Sequence, residues 1–288
     1  MAKDQQAIDR YGVIGNPVSH SRSPAIHRQF ADQTGQRMSY ELLEVPPDRF
    51  ESTVSGFRGA GGKGLNVTVP FKLEAARLAD RVSERAGEAG AVNTLVFQGG
   101  EVFGDNTDGI GLVRDLAANH EFKIDAVTIL ILGAGGATRG IVGPLLDLGP
   151  ERIVIANRTV SRARAIADHF AQKGRLESCS FDGIPNDSDW RLIINATSAG
   201  FKGEALPFPD SAIDGNSFCY DLSYGLEPTP FCEWAKACGA AKQTMGWGML
   251  VEQAAESFHL WRGIRPETAP VLARIVAGVQ SGNSAPSA

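Results

Sequence analysis

Apolar and polar positions follow two rhythms along the chain, and each rhythm predicts a different element. Short runs rich in β-branched residues predict strands at 11–14, 39–45, 64–67, 127–132, 152–156, 192–194 and 218–221. Apolar residues spaced three or four apart predict helices at 108–120, 136–148, 248–261 and 266–279. Because strands and helices take turns, the pattern predicts an α/β fold with largely parallel sheets.

One strand stands out from the others. Residues 127–132 are almost continuously apolar, as expected for a strand that helices cover on both faces. We therefore expect this strand near the centre of its sheet. The helix predicted at 108–120 leads into it, and we interpret that helix as a connector between two domains, the number that 288 residues favour.

Composition and charge narrow the class of protein. Hydrophobic residues make up 43% of the chain and charged residues 21%, which is typical of a folded globular protein. A net charge of −5 gives no general attraction to nucleic acid or to an anionic membrane. The first ten residues lack the apolar core of a signal peptide, and no stretch is long and apolar enough to span a membrane, so we expect a cytoplasmic protein.

Cysteine and histidine spacing predicts no metal site. The four cysteines have irregular gaps without a Cys-x-x-Cys pair, and the five histidines form no metal-spaced pair. We interpret the cysteines as ordinary buried or half-buried thiols.

A glycine-rich turn joins the buried strand to the next helix. Its residues are Gly133, Ala134, Gly135, Gly136 and Ala137. Glycines permit a tight turn and close approach of a pyrophosphate, whose charge is met by free N–H groups at the helix N-terminus. The motif departs from Gly-x-Gly-x-x-Gly, so it indicates either a dinucleotide site or only a turn.

The end of the next strand bears on the cofactor. Asn157, Arg158 and Thr159 stand where an NAD enzyme usually places Asp or Glu for the ribose hydroxyls. Arg158 and Arg162 can offer charge-assisted donors to a 2′-phosphate, which favours NADP. The alternative is that both arginines lie on a solvated helix start. A further loop, 195–200, follows the strand at 192–194 and either flanks the nicotinamide or is a polar turn.

Two segments in the first hundred residues carry candidate chemistry. If the segment at 21–23 is extended, the hydroxyls of Ser21 and Ser23 point to one side and can meet one anionic group, although Ser23 before a proline is also a good helix N-cap. Lys72 follows a strand and begins a helix, where the helix dipole disfavours a cation, so it is either an acid/base candidate or a surface lysine. The stretches 91–94 and 104–109 read as polar turns, and Asp108 is a candidate N-cap.

These motifs occur together in one known family. They occupy residues 15–24, 66–72, 91–94, 104–109, 133–137, 157–159, 195–200, 220–231 and 246–253. With this set, the chain closely resembles shikimate dehydrogenase of the bacterial aromatic-biosynthesis pathway over nearly its whole length. The resemblance implies a substrate-binding catalytic domain from residues 1–108 and 247–288. It also implies a Rossmann-type NADP domain from residues 109–246, with a cleft between the two.

The resemblance also implies roles for single residues. It assigns the substrate carboxylate to Ser21, Ser23 and Tyr224, and ring hydroxyls or their neighbours to Asn66, Thr68, Asn93, Asp108 and Gln253. Lys72 and Asp108 form the catalytic pair, with the proton-transfer role left open between them. NADP is held by residues 133–137, Asn157, Arg158, Thr159 and Arg162, with Thr197, Ser198 and Gly246 near the nicotinamide.

The implied activity is the reversible NADPH-dependent reduction of 3-dehydroshikimate to shikimate. We expect a small-molecule substrate, no nucleic-acid or membrane partner, and a monomer or homodimer. Two alternatives are a quinate/shikimate dehydrogenase of broader specificity, usually with NAD, and a non-catalytic ligand-binding regulator on the same scaffold. The residues at 157–159 argue against NAD, and the presence of both Lys72 and Asp108 argues against the regulator.

Overall fold

The computed structural model describes residues 8–186, 189–200 and 205–280. These residues form two compact units. The first contains residues 8–111 and Leu250–Arg274, and the second contains Leu112–Met249 and residues 275–280. The outermost residues of the predicted domains, 1–7 and 281–288, lie outside the described part of the chain.

The first unit is built on a six-stranded mixed sheet. Its strands are β1 (Asp9–Gly15), β2 (Met38–Glu44), β3 (Gly62–Val67), β4 (Arg81–Val82), β5 (Thr94–Gln98) and β6 (Glu101–Asp105). Their order is β2-β1-β3-β5-β6-β4. Strand β1 is parallel to β2 and β3, whereas β5 is antiparallel to β3 and β6. The helices that begin within residues 8–111 of this unit are α1 (Ser23–Thr34), α2 (Phe50–Gly59), α3 (Lys72–Leu78), α4 (Glu84–Ala89) and α5 (Asp108–Arg114).

The antiparallel hairpin β5–β6 replaces two of the predicted polar turns. Thr94 begins β5, and Gly104 and Asp105 end β6, so the polar stretches predicted as turns overlap the strand ends. Gly99 and Gly100 join the strands with φ of 60° and 85°. A two-residue turn with positive φ at both positions matches the twist of a hairpin, and Gly-Gly between two β-like runs is a recognisable signal for it.

The second unit contains a fully parallel sheet. Its strands are β7 (Thr128–Leu132), β8 (Arg152–Ala156), β9 (Leu176–Cys179), β10 (Leu192–Asn195), β11 (Phe218–Asp221) and β12 (Lys242–Met245). The order β12-β11-β10-β7-β8-β9 is that of a doubly wound Rossmann-type sheet, whose strand order reverses between β7 and β10. The predicted α/β fold and the central position of the apolar strand are both confirmed.

Helices of the second unit and the C-terminal segment complete the fold. They are α6 (Gly136–Leu146), α7 (Val160–His169), α8 (Pro230–Ala237), α9 (Trp247–Arg262) and α10 (Ala269–Gln280). Helix α5 continues as one π-helical stretch, Asp115–Asn119. Together, α5 and this stretch match the helix predicted at 108–120. Strands β4, β9 and β12 were not predicted because they are sheet edges, short and largely polar, and carry no apolar pattern.

Two sequence expectations concern absences. Within the described residues, no helix combines the length and apolar character needed to cross a membrane. The same part of the chain holds no cluster of three or more His, Cys, Asp or Glu suited to a metal ion. All four cysteines are free thiols, two buried and two half-buried, as predicted.

Candidate active site

The two serines of the first loop lie side by side. Ser21 Oγ donates to Ser23 Oγ at 3.1 Å and accepts from the Ser23 N–H at 3.3 Å. The segment is not extended as predicted, because Arg22 between them is helical, with φ −89° and ψ −2°. Arg22 is also the N-cap of α1, without a side-chain cap, so the N-cap expected at Ser23 is wrong. A local hydrogen bond, rather than strand alternation, brings the hydroxyls together.

A carboxylate at the end of β2 braces this loop. Glu44 accepts hydrogen bonds from the backbone N–H groups of Val18 at 2.9 Å and Ser19 at 3.1 Å. These two donors hold the pKa of the Glu44 carboxyl below its usual range. Asn16 adds a bond from Nδ2 to the Val45 carbonyl at 2.9 Å. Sequence reasoning missed Glu44, since its contacts lie 25 or more residues away and no spacing reveals them.

Lys72 and Asp108 form an ion pair. Lys72 is the first residue of α3 and Asp108 the first residue of α5. Lys72 Nζ lies 2.5 Å from Asp108 Oδ2, and their side chains are 16% and 7% exposed. Asp108 is therefore not the N-cap expected from the sequence, because it lies inside the helix and its carboxylate bonds other side chains. The pair joins residues 36 positions apart into a largely desolvated cation–carboxylate unit.

Asn93 holds the other oxygen of that carboxylate. Its Nδ2 donates to Asp108 Oδ1 at 2.9 Å, and its Oδ1 accepts from the backbone N–H of Thr107 at 2.8 Å. Because a backbone N–H can only donate, this bond fixes which end of the amide faces Asp108. Gln253 of α9 joins through Oε1, 3.4 Å from Asn93 Nδ2. Two predicted residues, Lys72 and Asn93, thus bond the Asp108 carboxylate, and a third, Gln253, bonds Asn93.

Asn66 lies in β3, and Thr68 directly follows the last residue of that strand. Asn66 reaches the group around Asp108 through its Nδ2, which donates to the Asn93 carbonyl at 3.3 Å. Asn66 is 6% exposed, and its Oδ1 accepts from Tyr40 Oη at 2.7 Å. Thr68 approaches Gly15 so closely that a Cβ added there would lie 2.3 Å from Thr68 Cγ2. A glycine is therefore required at position 15, at the start of the loop that carries the two serines.

A second buried ion pair supports the turn before Asp108. The Asp105 carboxylate, 2% exposed, accepts from Arg85 Nε and Nη2, each at 2.7 Å, and from the backbone N–H of Asn106. Burial works against the charge of Arg85, but Asp105 and Glu256 raise its pKa. Sequence reasoning missed Arg85 and Asp105 as supporting residues. A charge pair 20 positions apart gives no pattern in one sequence.

The glycine-rich turn has the predicted position at the end of β7. Gly133 has φ 107°, and a Cβ there would lie 2.9 Å from the Ala196 carbonyl oxygen, so only glycine fits. Gly135 is the N-cap of α6, and a Cβ there would meet nothing within 4 Å. Open space therefore lies above a helix N-terminus whose N–H groups favour an anion.

The end of β8 offers cationic side chains. Arg158, Thr159 and Arg162 are exposed around the start of α7, and Asn157 Nδ2 donates to the Thr159 carbonyl at 2.8 Å. No acidic residue occupies positions 157–159. Planar guanidinium groups without a competing carboxylate suit a phosphate on the ribose.

Asp221, which sequence reasoning did not single out, organises the loop after β10. This buried carboxylate accepts from Asn195 Nδ2 at 3.1 Å and from the N-cap Thr229 of α8 at 2.6 Å, and burial raises its pKa. Asn195 Oδ1 in turn accepts from Thr197 Oγ1 at 2.7 Å, next to the exposed Ser198. The loop is thus an ordered structure beside the point where the strand order reverses, the usual ligand position in such sheets.

Models of one enzyme family match three segments of the chain. The shikimate dehydrogenase substrate binding domain matches residues 13–95, shikimate/quinate 5-dehydrogenase matches 115–200, and the shikimate 5′-dehydrogenase C-terminal domain matches 246–275. The NADP(+) shikimate dehydrogenase of Alkalilimnicola ehrlichii is 54% identical over 93% of this chain and 98% of that protein. The chain belongs to the shikimate dehydrogenase family.

Other members of the shikimate dehydrogenase family agree in sequence and structure. The NADP(+) enzyme of Hahella chejuensis is 51% identical over 94% of this chain and all of that protein. The crystal structure of shikimate 5-dehydrogenase from Thermus thermophilus, in complex with NADP(H) and shikimate, has a TM-score of 0.83 at 34% identity and covers 94% of this chain and 99% of that one.

Two remaining residues implied by the family resemblance lie in the second unit. Tyr224 follows β11, and its ring centroid is 4.5 Å from that of Trp247, whose indole is buried. Gly246 precedes α9, and a Cβ there would lie 2.6 Å from the Leu222 carbonyl oxygen. Trp261 packs against Tyr11, with ring centroids 4.7 Å apart and planes tilted by 31°, and its indole N–H donates to the Leu95 carbonyl at 3.0 Å.

Proposed function

We propose that the protein catalyses the reversible NADPH-dependent reduction of 3-dehydroshikimate to shikimate, with Lys72 and Asp108 as the catalytic pair. The observation that carries this proposal is the Lys72–Asp108 contact of 2.5 Å, held in place by Asn93. Family membership supplies the substrate and the cofactor, since the relatives are NADP(+) shikimate dehydrogenases. The ion pair supplies the chemistry that a ketone reduction needs, a proton donor beside the developing charge on oxygen.

Lys72 is the residue we propose for proton transfer. Both oxygens of Asp108 already accept hydrogen bonds, Oδ1 from Asn93 and Oδ2 from Lys72, so this carboxylate is held as an acceptor. The Lys72 ammonium carries three protons, of which one points to Asp108. In the reductive direction Lys72 donates a proton to the substrate oxygen, and in the oxidative direction it takes that proton back. Asp108 orients the amine throughout.

The remaining polar groups of the first unit would position the substrate. Ser21 and Ser23 place two hydroxyls 3.1 Å apart, and both can donate to one carboxylate once Ser21 turns its proton away from Ser23. Thr68, Asn93, Asp108 and Gln253 are proposed to face ring hydroxyls, and Asn66 to hold a hydroxyl or support the residues that do. Tyr224, implied for the same carboxylate, belongs to the second unit.

The cofactor NADP fits the groups at the ends of β7, β8 and β10. We assign the pyrophosphate to the turn 133–137, the 2′-phosphate to Asn157, Arg158, Thr159 and Arg162, and the nicotinamide end to Thr197, Ser198 and Gly246. The open space above Gly135 and the exposed guanidinium groups support this assignment. When bound, the cofactor supplies or accepts the hydride.

Domain roles, location and assembly follow the same proposal. Residues 1–108 and 247–288 would form the catalytic domain, and residues 109–246 the NADP domain. The substrate is a small molecule, and the relative solved with shikimate supports this. We propose a cytoplasmic monomer or homodimer without nucleic-acid or membrane partners, in keeping with the net charge of −5.

The test is the rate of cofactor reduction by the purified protein in four mixtures, shikimate or quinate with NADP or NAD. Turnover with shikimate and NADP that exceeds the other three pairs supports the proposal and the role of the arginines. Comparable rates with quinate or NAD would identify a broader-specificity enzyme. No turnover with any pair, together with intact NADPH binding, would identify a ligand-binding regulator.

A further inference from the structure

We propose that Tyr40 is a positioning residue for the catalytic carboxylate of Asp108. It acts through a directed chain of hydrogen bonds that passes through Asn66, Thr94 and Asn93. This inference rests on the proposed function, because it concerns the groups that hold the catalytic pair. All five residues belong to the first unit.

The chain of hydrogen bonds begins at Tyr40, whose phenol ring is rigidly held. The Tyr40 ring stacks on the His27 ring, with centroids 4.3 Å apart and planes 10° from parallel, and His27 is fully buried. Tyr40 Oη lies 2.7 Å from Asn66 Oδ1. The Asn66 amide cannot be turned round, because its Nδ2 donates to the Asn93 carbonyl oxygen at 3.3 Å, an atom that only accepts. Tyr40 is therefore the donor.

Thr94 passes the direction on. Its Oγ1, fully buried, accepts from Asn66 Nδ2 at 3.1 Å and donates to Asn93 Oδ1 at 2.9 Å. Ser257 Oγ lies 2.8 Å from the same atom, and because a hydroxyl has one proton, Ser257 is the donor of that contact when Thr94 donates to Asn93. Ser257 Oγ, 2.9 Å from Asn66 Nδ2, is a third acceptor for the two protons of this amide, so one proton is shared between two acceptors. The protons of the Asn66 amide are therefore committed inside the protein, and its amide links other residues of the site.

The last link reaches the catalytic pair. Asn93 Nδ2 donates to Asp108 Oδ1 at 2.9 Å, and Asp108 Oδ2 accepts from Lys72. Each donor from Tyr40 onward points toward Asp108. Hydrogen bonds in series polarise one another in a buried environment, so the first donor strengthens the last bond. Tyr40 thereby helps to hold the carboxylate in the orientation that directs Lys72.

Tyr11 provides a matched control for Tyr40. Tyr11 on β1 is the register partner of Tyr40 on β2, and it is also largely buried at 2% exposure. Its Oη accepts from Arg262 Nη1 at 3.3 Å, and among the described contacts no hydrogen bond joins it to the path toward Asp108. Tyr11→Phe removes the same atom, Oη, from the neighbouring strand of the same sheet and leaves the chain of hydrogen bonds from Tyr40 to Asp108 intact.

The experiment compares kcat and KM of Tyr40→Phe and Tyr11→Phe in shikimate oxidation with NADP. We expect Tyr40→Phe to lower kcat about fivefold, the size of one lost neutral hydrogen bond, and to leave KM for NADP unchanged. Tyr11→Phe should keep kcat within about twofold of the wild type, since the atom that it loses lies outside the chain. A Tyr40→Phe kcat within about twofold of the wild type would overturn the inference.

A second pair of variants tests whether the links act as one unit. Thr94→Val removes the relay hydroxyl and should lower kcat about as much as Tyr40→Phe, whereas Thr94→Ser keeps the hydroxyl and should restore it. The double variant Tyr40→Phe/Thr94→Val should be little worse than either single variant, because both break one path. Multiplicative losses, or an impaired Thr94→Ser, would contradict the inference.

The remaining outcomes are also decisive. If Tyr40→Phe does not fold, the comparison of Thr94→Val with Thr94→Ser decides by itself. Loss of a buried hydroxyl that serves only packing would not change kcat separately from KM. An inactive wild type would refute the proposed function instead, so the two failures are distinguishable.

Discussion

The proposed substrate side and the proposed cofactor side of this protein are built by different means. In the first unit, side chains hold one another, as in the contacts of Asp108 with Lys72 and Asn93. In the second unit, the shape of the site depends mainly on the backbone, namely on a glycine turn at Gly133 and a helix that begins at Gly136. The exposed Arg158 adds charge at the surface.

This difference decides how each side responds to change. A backbone cradle depends on space and backbone conformation, so it is sensitive to any added atom. A buried network of side chains depends on donors, acceptors and charge, so it is sensitive to the loss of a single polar atom. The two halves should therefore fail in separable ways, one through cofactor binding and the other through turnover or pH dependence.

The largest effect is expected for Lys72→Ala. Loss of a positioned acid/base group should lower kcat about 1000-fold. KM for NADP should stay near the wild-type value, because the groups proposed to bind the cofactor belong to the second unit. Lys63→Ala, which removes an exposed lysine from β3, is the matched control and should leave kcat unchanged. Steady-state rates with shikimate and NADP provide the measurement, and near wild-type turnover of Lys72→Ala would refute the acid/base assignment.

The two glycines of the cofactor turn should separate folding from binding. Gly133→Ala forces a side chain into positive φ against the Ala196 carbonyl and should cost about 3 kcal/mol of stability. Gly135→Ala meets no protein atom within 4 Å, so the melting temperature should not change. Its methyl group should still raise the Kd of NADP about tenfold, because it occupies the space of the bound phosphates. Unchanged NADP binding by Gly135→Ala would argue against a ligand at this helix N-terminus.

Sequence predicted these two sides unequally well. The glycine turn and the residues at 157–159 follow strands directly, so local order along the chain places them. The network around Asp108 joins residues that are distant in sequence, such as Asn66 and Ser257. Each residue type was recognisable, but neither the contact of Lys72 with Asp108 nor its supports could be obtained from spacing.

The supporting residues were missed for a related reason. Glu44, Arg85 and Asp221 act by bonding to groups far along the chain, and a single charged residue at a strand or helix end is common in any sequence. Local propensity also predicted N-caps wrongly at Ser23 and Asp108, because contacts with other side chains outweigh it there. These two residues looked like caps because they stand at helix starts, yet their side chains bond elsewhere.

The buried substrate side should also show a pH dependence of stability. Burial lowers the pKa of His27 to about 3, and the nearby Asn66 side chain opposes this shift only in part. Neither ring nitrogen reaches hydrogen-bond geometry with a described residue. In the unfolded chain His27 takes up a proton as pH falls below its ordinary pKa of 6.5, whereas in the folded protein it stays neutral down to its lower pKa. Stability at His27 is therefore lost as pH falls through this window.

His27→Phe removes this sensitivity. Between about pH 7.5 and about pH 5, the wild type should lose about 2 kcal/mol more stability than the variant. Phenylalanine also suits the aromatic surroundings, where Phe30 and Phe258 lie within 6.2 Å of the His27 ring. Urea unfolding at both pH values tests this. Parallel losses in the two proteins would mean that His27 does not titrate as described.

The last of these predictions concerns cofactor choice. Arg158→Ala should raise KM for NADP about tenfold through loss of a charge-assisted contact, and leave KM for NAD unchanged. Arg164→Ala, which removes another exposed arginine from α7, is the control and should alter neither value. Equal changes for NADP and NAD would show that Arg158 does not recognise the 2′-phosphate.

Chemical rescue of Lys72→Ala tests the central claim most directly. If Lys72 moves the proton and Asp108 orients it, small primary amines added to this variant should restore turnover in proportion to their concentration. The same amines should not increase the rate of Asp108→Asn, which retains the lysine. A rise of at least about tenfold, confined to Lys72→Ala, is the predicted result. No rise at any amine concentration, or an equal rise in both variants, would contradict the assignment of proton transfer to Lys72.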